Sequence, residues 1–169
     1  MNLDIINVPE LSPEASVICL MTKGSLPQSI SLAKPEAKYV AACIEKGEKL
    51  VVVNSYSRIS LFVIANMKQE DWKIAEDMRR AACKVHAILK EHATENVQLL
   101  NTTGSENVAL AFAEGLGLTQ YQFLKYFRDA KKKEYKLKHL SVVGEKPDKK
   151  KWEQLRHVLY GVYTTRDLI

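Results

Sequence analysis

The amino-acid sequence predicts an α/β domain, a three-layer α/β/α body with a mixed central sheet. Three observations carry that prediction. Helical periodicity alternates with short, β-branched apolar runs along the chain. The run Ala15-Ser16-Val17-Ile18-Cys19-Leu20-Met21 does not alternate with polar residues as a one-sided strand would, so it suits a strand covered on both faces. Leu50 to Val53 and Ile59 to Ile64 are joined only by Asn54 to Arg58, a link of hairpin length, so one strand pair is antiparallel.

The elements follow in order. Asp4 to Val8 is a first strand, stopped by Pro9. Ala15 to Met21 is the second, stopped by Lys23-Gly24, and Ser25 to Ser31 is a loop. Pro35 to Lys46 is a helix with Pro35 in its first turn and Gly47 just past its end; Tyr39, Val40, Cys43 and Ile44 share its inner face. The predicted hairpin comes next. Glu70 to His92 is the clearest helix, with Glu70 and Asp71 at the positive end of its dipole. Trp72, Ala75, Met78, Ala82, Val85 and Leu89 form its apolar stripe. Val97 to Leu100 is a strand, and Thr102-Thr103-Gly104-Ser105 turns into a small-residue helix around Ala109 to Leu116. Ala109, Ala111, Ala113 and Gly115 would let that helix lie close against the sheet, and Gly117 would stop it. Tyr121, Phe123 and Tyr126 would anchor the segment that leaves it. Leu137 to Val143 is the last strand, closed by Gly144. Asp148 to Thr164 is the last helix, with Trp152, Leu155, Val158, Leu159 and Val162 turned inward.

The chain has 169 residues, 46% apolar and 27% charged, an ordinary globular balance and enough for one core. Residues 1–169 are read as a single domain. No apolar run approaches the length of a membrane span, about twenty residues. Met1-Asn2-Leu3-Asp4 lacks the basic start and apolar centre of a secretory signal, so a cytoplasmic protein with no membrane partner is expected. Cys19, Cys43 and Cys83 are widely spaced and contain no Cys-x-x-Cys pair, which argues for buried free thiols over a disulfide framework or a structural zinc site. The net charge of +5 is uneven: residues 1–119 carry 12 Lys and Arg against 14 Asp and Glu, while residues 120–169 carry 13 against 6.

One stretch combines several of these features: Glu114-Gly115-Leu116-Gly117-Leu118-Thr119-Gln120-Tyr121-Gln122-Phe123, then Tyr126-Phe127, then Lys131-Lys132-Lys133. With the closing Thr165-Arg166-Asp167-Leu168-Ile169, in this order, it resembles the end of the N-terminal domain of the leucyl aminopeptidase family of dinuclear metallopeptidases. The resemblance covers the second half of the chain, and the first sixty residues by general layout. It implies a layered, macro-domain-like α/β fold. It further implies a non-catalytic N-terminal domain whose partners are its own catalytic domain and sister subunits of a homo-hexamer. Two divalent metals, zinc or manganese, and the peptide substrates belong to the catalytic domain that would follow. The signature Asn-Thr-Asp-Ala-Glu-Gly-Arg of that domain occurs nowhere in the sequence. No family catalytic or metal residue is therefore carried onto a position here, and no cofactor is expected in this chain.

The residues themselves give the same reading. His86, His92, His139 and His157 are scattered, and His86 and His92 stand six apart, not at the four-residue spacing of a helical metal pair. Surface or capping roles suit them. Glu76 and Asp77 are adjacent on a helix and point apart, so they are no acid/base pair. Ser55, Ser57 and Ser105 lack the glycine-flanked nucleophile turn. Thr103-Gly104-Ser105-Glu106 leads a strand into a helix, where an anion would find free amides, but Glu106 repels one and Ser105 suits simple capping. Catalytic and metal sites are thus both expected to be none. One binding surface is open to proposal: Lys131, Lys132, Lys133, Lys136 and Lys138, followed by Lys149, Lys150 and Lys151, with Tyr126, Phe127 and Tyr135 nearby. Aromatic rings among cations suit a polyanion such as single-stranded nucleic acid. Glu134, Glu145 and Asp148 interrupt the run, as they would in a solvated loop. Some relatives in the peptidase family bind DNA, and a macro-like nucleotide or nucleic-acid module is the alternative function.

Overall fold

The computed structural model describes residues 3–24, 26–144 and 148–168. Ser25, Glu145, Ile169 and the leading Met1-Asn2, used above, lie outside the described residues. Among the described residues the chain forms six strands and five helices: β1 Asp4–Val8, β2 Val17–Met21, α1 Lys34–Glu45, β3 Leu50–Asn54, β4 Ile59–Ile64, α2 Asp71–Glu91, β5 Asn96–Asn101, α3 Glu106–Gln120, α4 Ala130–Lys133, β6 His139–Val143 and α5 Lys149–Leu168.

The strands make one mixed sheet in the order β1-β6-β5-β2-β4-β3. Only the β3–β4 hairpin is antiparallel, with Val52 opposite Leu61; β1–β6, β6–β5, β5–β2 and β2–β4 are parallel. Central β2 is buried at every position, which its continuous apolar run requires. Its alternate residues serve opposite faces. Ile18 and Leu20 join the core formed with α2, α3 and α5. Val17, Cys19 and Met21 join a smaller core closed by Val40, Cys43 and Ile44 of α1. Those two cores are the interfaces between three layers, and the sheet is the middle one.

Several expectations are corrected. Helix α3 does not stop at Gly117 but runs on to Gln120. Gly117 is instead the place where α5 crosses: a Cβ there would meet Leu159 at 2.5 Å. Gly115 admits the backbone of α2, not the sheet, since a Cβ would come 2.6 Å from Arg79 Cα. Trp72 is 64% exposed, and Ile74 takes the buried place on α2. Tyr39 and Val158 are exposed as well, each at the edge of a stripe that its neighbours complete. Cys83 lies on the exposed side of α2, unlike the buried Cys19 and Cys43. The lysine run is not all loop: Lys131 to Lys133 form the single turn of α4.

Candidate functional site

In a parallel α/β sheet, ligands bind beyond the carboxyl ends of the strands, where successive connections leave on opposite faces. Here that point lies between β2, which leads to α1, and β5, which leads to α3. The loop after β5 is drawn tight by its own side chains. Asn101 Oδ1 accepts from the Thr103 amide at 3.1 Å and from Thr103 Oγ1 at 2.7 Å, and Asn101 Nδ2 donates to the Ser105 carbonyl at 2.8 Å. The Thr102 hydroxyl donates to the Leu20 carbonyl of β2 at 3.1 Å. Gly104 takes φ +77°, a conformation that a side chain would disfavour. Ser105 holds the N-cap position of α3 but makes no side-chain cap bond, against the sequence expectation. Glu106 is occupied elsewhere: its Oε1 accepts from the Asp148 amide at 2.7 Å and from Trp152 Nε1 at 3.0 Å. The sequence therefore spends this loop's polar groups on fastening α3 to β2 and α5.

The lysines fall into two groups. Lys149, Lys150 and Lys151 open α5, where Lys151 Nζ stands 3.9 Å from both Glu106 and Asp148. Lys131 lines the same concavity as Asp167, which lies near the other end of α5, about 25 Å along the helix axis from Lys150. The two groups do not form one surface. Among the sequence-predicted positions, Lys131, Lys132, Lys133, Lys136 and Lys138 are exposed. Lys138 pairs with Glu95 at 3.2 Å. Lys133 Nζ sits 4.0 Å above the Phe127 ring, and Lys125 Nζ sits 5.9 Å from that of Tyr126. Gln120, Gln122, Lys125, Lys131, Glu134 and Asp167 border a concavity of about 630 Å³. Of the expected anchors, Tyr126 is largely on the surface and Phe123 is 37% exposed, while Tyr121 packs 5.5 Å from the Tyr163 ring of α5.

Two glutamines and a histidine hold this segment, and composition gave no hint of them. Buried His86 faces Gln120 Oε1 at 2.8 Å, while Gln120 Nε2 donates to the Leu137 carbonyl at 2.7 Å. The amide oxygen can only accept, so His86 Nε2 carries the proton. Burial holds the His86 pKa below the ordinary 6.5, in place of the surface role expected from sequence. Gln122 closes the loop, taking the Tyr135 amide at 2.7 Å and donating to the Lys133 carbonyl at 3.0 Å.

The remaining chemistry is structural. Burial pushes the Cys19 thiol up to about 12, so it is no nucleophile at neutral pH. Glu76 forms an ordinary surface pair with Arg80 at 2.8 Å. Among the described residues no three His, Cys, Asp or Glu side chains gather as a metal ligand set. Among them, too, no helix is long and apolar enough to cross a membrane. A groove of about 490 Å³ runs over α3 between α2 and α5, walled by Trp72, Leu110, Leu155 and Val158 and crossed by the Arg79–Glu114 ion pair at 2.8 Å.

No protein-family model and no curated sequence matches the chain. Solved structures do. A mutant of tomato leucine aminopeptidase superimposes with a TM-score of 0.66 at 14% identity, over 95% of this chain and 36% of that one. A mutant of the Oceanobacillus iheyensis macrodomain superimposes with a TM-score of 0.62 at 10% identity, over 93% of this chain and 92% of that one. The chain thus spans about a third of the aminopeptidase it matches and nearly the whole of the macrodomain. In fold it is a macro-like α/β domain.

Proposed function

We propose that the chain is the N-terminal accessory domain of a cytoplasmic, leucyl-type metalloaminopeptidase. The parent removes N-terminal residues from peptides with two divalent metals, zinc or manganese, held by a catalytic domain outside these residues. This domain's own role is to help assemble a homo-hexamer and restrict access to the catalytic chamber. The observation that carries the reading is the superposition of 95% of this chain on about a third of tomato leucine aminopeptidase, joined to the Glu114–Phe123 and Thr165–Asp167 motifs. The Trp72–Val158 groove supports it, because an apolar patch on a domain surface is where a neighbouring domain or subunit docks. Calorimetric titration with ADP-ribose tests it. The accessory-domain reading expects no heat of binding, and a saturable site contradicts it.

The second reading is a macro-like module for a nucleotide or nucleic acid, and its support is the 92% coverage of a whole macrodomain. Against the nucleotide stands the strand-end loop, whose polar groups already bind one another.

A further inference from the structure

We propose that the segment between α3 and β6 binds single-stranded nucleic acid, at the end of the sheet away from the strand-end crevice. The inference deepens the nucleic-acid half of the second reading and rests on it, but uses none of the crevice residues. Between Gln120 and Leu137 stand six cations, Lys125, Arg128, Lys131, Lys132, Lys133 and Lys136, against Asp129 and Glu134. Among the described residues none of the six makes an ion pair. Three rings share the same short stretch: Tyr126 is 78% exposed, Phe127 47% and Phe123 37%. Water gains nothing from such rings, whereas unstacked bases do.

The geometry orders charge around the rings. Phe123 and Tyr126 meet edge to face at 5.5 Å, with Lys125 Nζ 5.9 Å from the Tyr126 ring, and Tyr126 keeps most of its surface exposed. Lys133 lies over one face of Phe127 at 4.0 Å, which leaves the opposite face for a base and sets a cation beside the stack. The Gln122 bonds to Lys133 and Tyr135 hold both ends of the loop, so the rings are positioned before any ligand arrives. The concavity of about 630 Å³ beside them is bordered by Lys125 and Lys131 and also by Glu134 and Asp167, so the strand's path follows its lysine side. A duplex keeps its bases stacked inside and would reach the lysines alone. An acidic peptide would have no use for planar faces.

The test is fluorescence anisotropy of a labelled single-stranded thymidine oligonucleotide with the full 169-residue chain, at low and physiological salt. Binding that weakens with salt is expected. The Tyr126→Ala/Phe127→Ala variant should bind about ten-fold more weakly with the salt slope unchanged. Lys131→Ala/Lys132→Ala/Lys133→Ala should flatten the log–log salt slope by about 2. Circular dichroism confirms that each variant is folded. Absence of binding by the folded wild type overturns the proposal. So does a ring variant that binds as well as wild type, or equal competition by inorganic polyphosphate, since either means charge alone. Loss of self-association in the ring variant, with no oligonucleotide bound by either protein, would make the rings a protein interface and also overturn it. ADP-ribose binding is a separate measurement, so failure at the crevice and failure at this segment are distinguishable.

Discussion

Gly115 of α3 lies directly against the backbone of Arg79 of α2: a Cβ on Gly115 would stand 2.6 Å from Arg79 Cα and 2.7 Å from its carbonyl oxygen. Backbone atoms of a long helix cannot step aside as a side-chain tip can. Gly115→Ala is therefore expected to lower stability by about 1–3 kcal/mol in urea melts, even though alanine is the better helix former. Gly161 of α5 is the control, with open space around it. Gly161→Ala should raise stability by roughly 0.5–1 kcal/mol. Equal effects of the two substitutions would contradict the close helix crossing.

The second expectation concerns the start of α5. Glu106 accepts both the Asp148 amide and the indole N–H of buried Trp152. Glu106→Ala leaves the indole N–H of buried Trp152 without a partner, which costs about 1–3 kcal/mol, while water replaces Glu106 at the exposed Asp148 amide. Glu106→Gln keeps the accepting oxygen and should recover most of the loss. Trp152 emission followed through denaturant unfolding reads the difference.

A third follows from His86. Its folded pKa is depressed by burial, with Lys90 acting in the same direction and Gln120 opposing. The folded chain then binds fewer protons than the unfolded chain between the depressed value and 6.5, so stability rises with pH across that window. The contribution is present above 6.5 and is lost as pH falls through the folded value. His86→Phe keeps a ring but cannot charge. Its stability deficit against wild type should narrow on acidification from neutral pH; a constant deficit would show that His86 is not the titrating group.

A fourth expectation is chemical. The isolated chain should hydrolyse no leucine anilide with added zinc or manganese, because the accessory-domain reading places the reaction in another domain. Metal-dependent turnover that scales with this protein would contradict it.

Much of the architecture was legible because strands and helices announce themselves by period. The unbroken run at β2 foretold a strand with two covered faces, and Asn54 to Arg58 foretold the hairpin. What escaped was pairwise. A glycine in a helix reads as a stop, and only the crossing partner shows that Gly115 and Gly117 are there for Arg79 and Leu159. Trp72 satisfied the apolar stripe of α2, yet its position at the rim leaves it exposed. The lysines looked like one series, and only α5 shows that they occupy separate ends. Gln120 gave no periodic signal because its value lies in two hydrogen bonds to distant partners.

The central claim is that this macro-like body serves a larger metallopeptidase. Its most direct test is the mass of the native polypeptide, captured from the cells that make it with an antibody against this domain. The account predicts a chain much heavier than 19.1 kDa, roughly in proportion to the 36% coverage of the tomato enzyme. A captured polypeptide of 19.1 kDa, with no larger form, would contradict it.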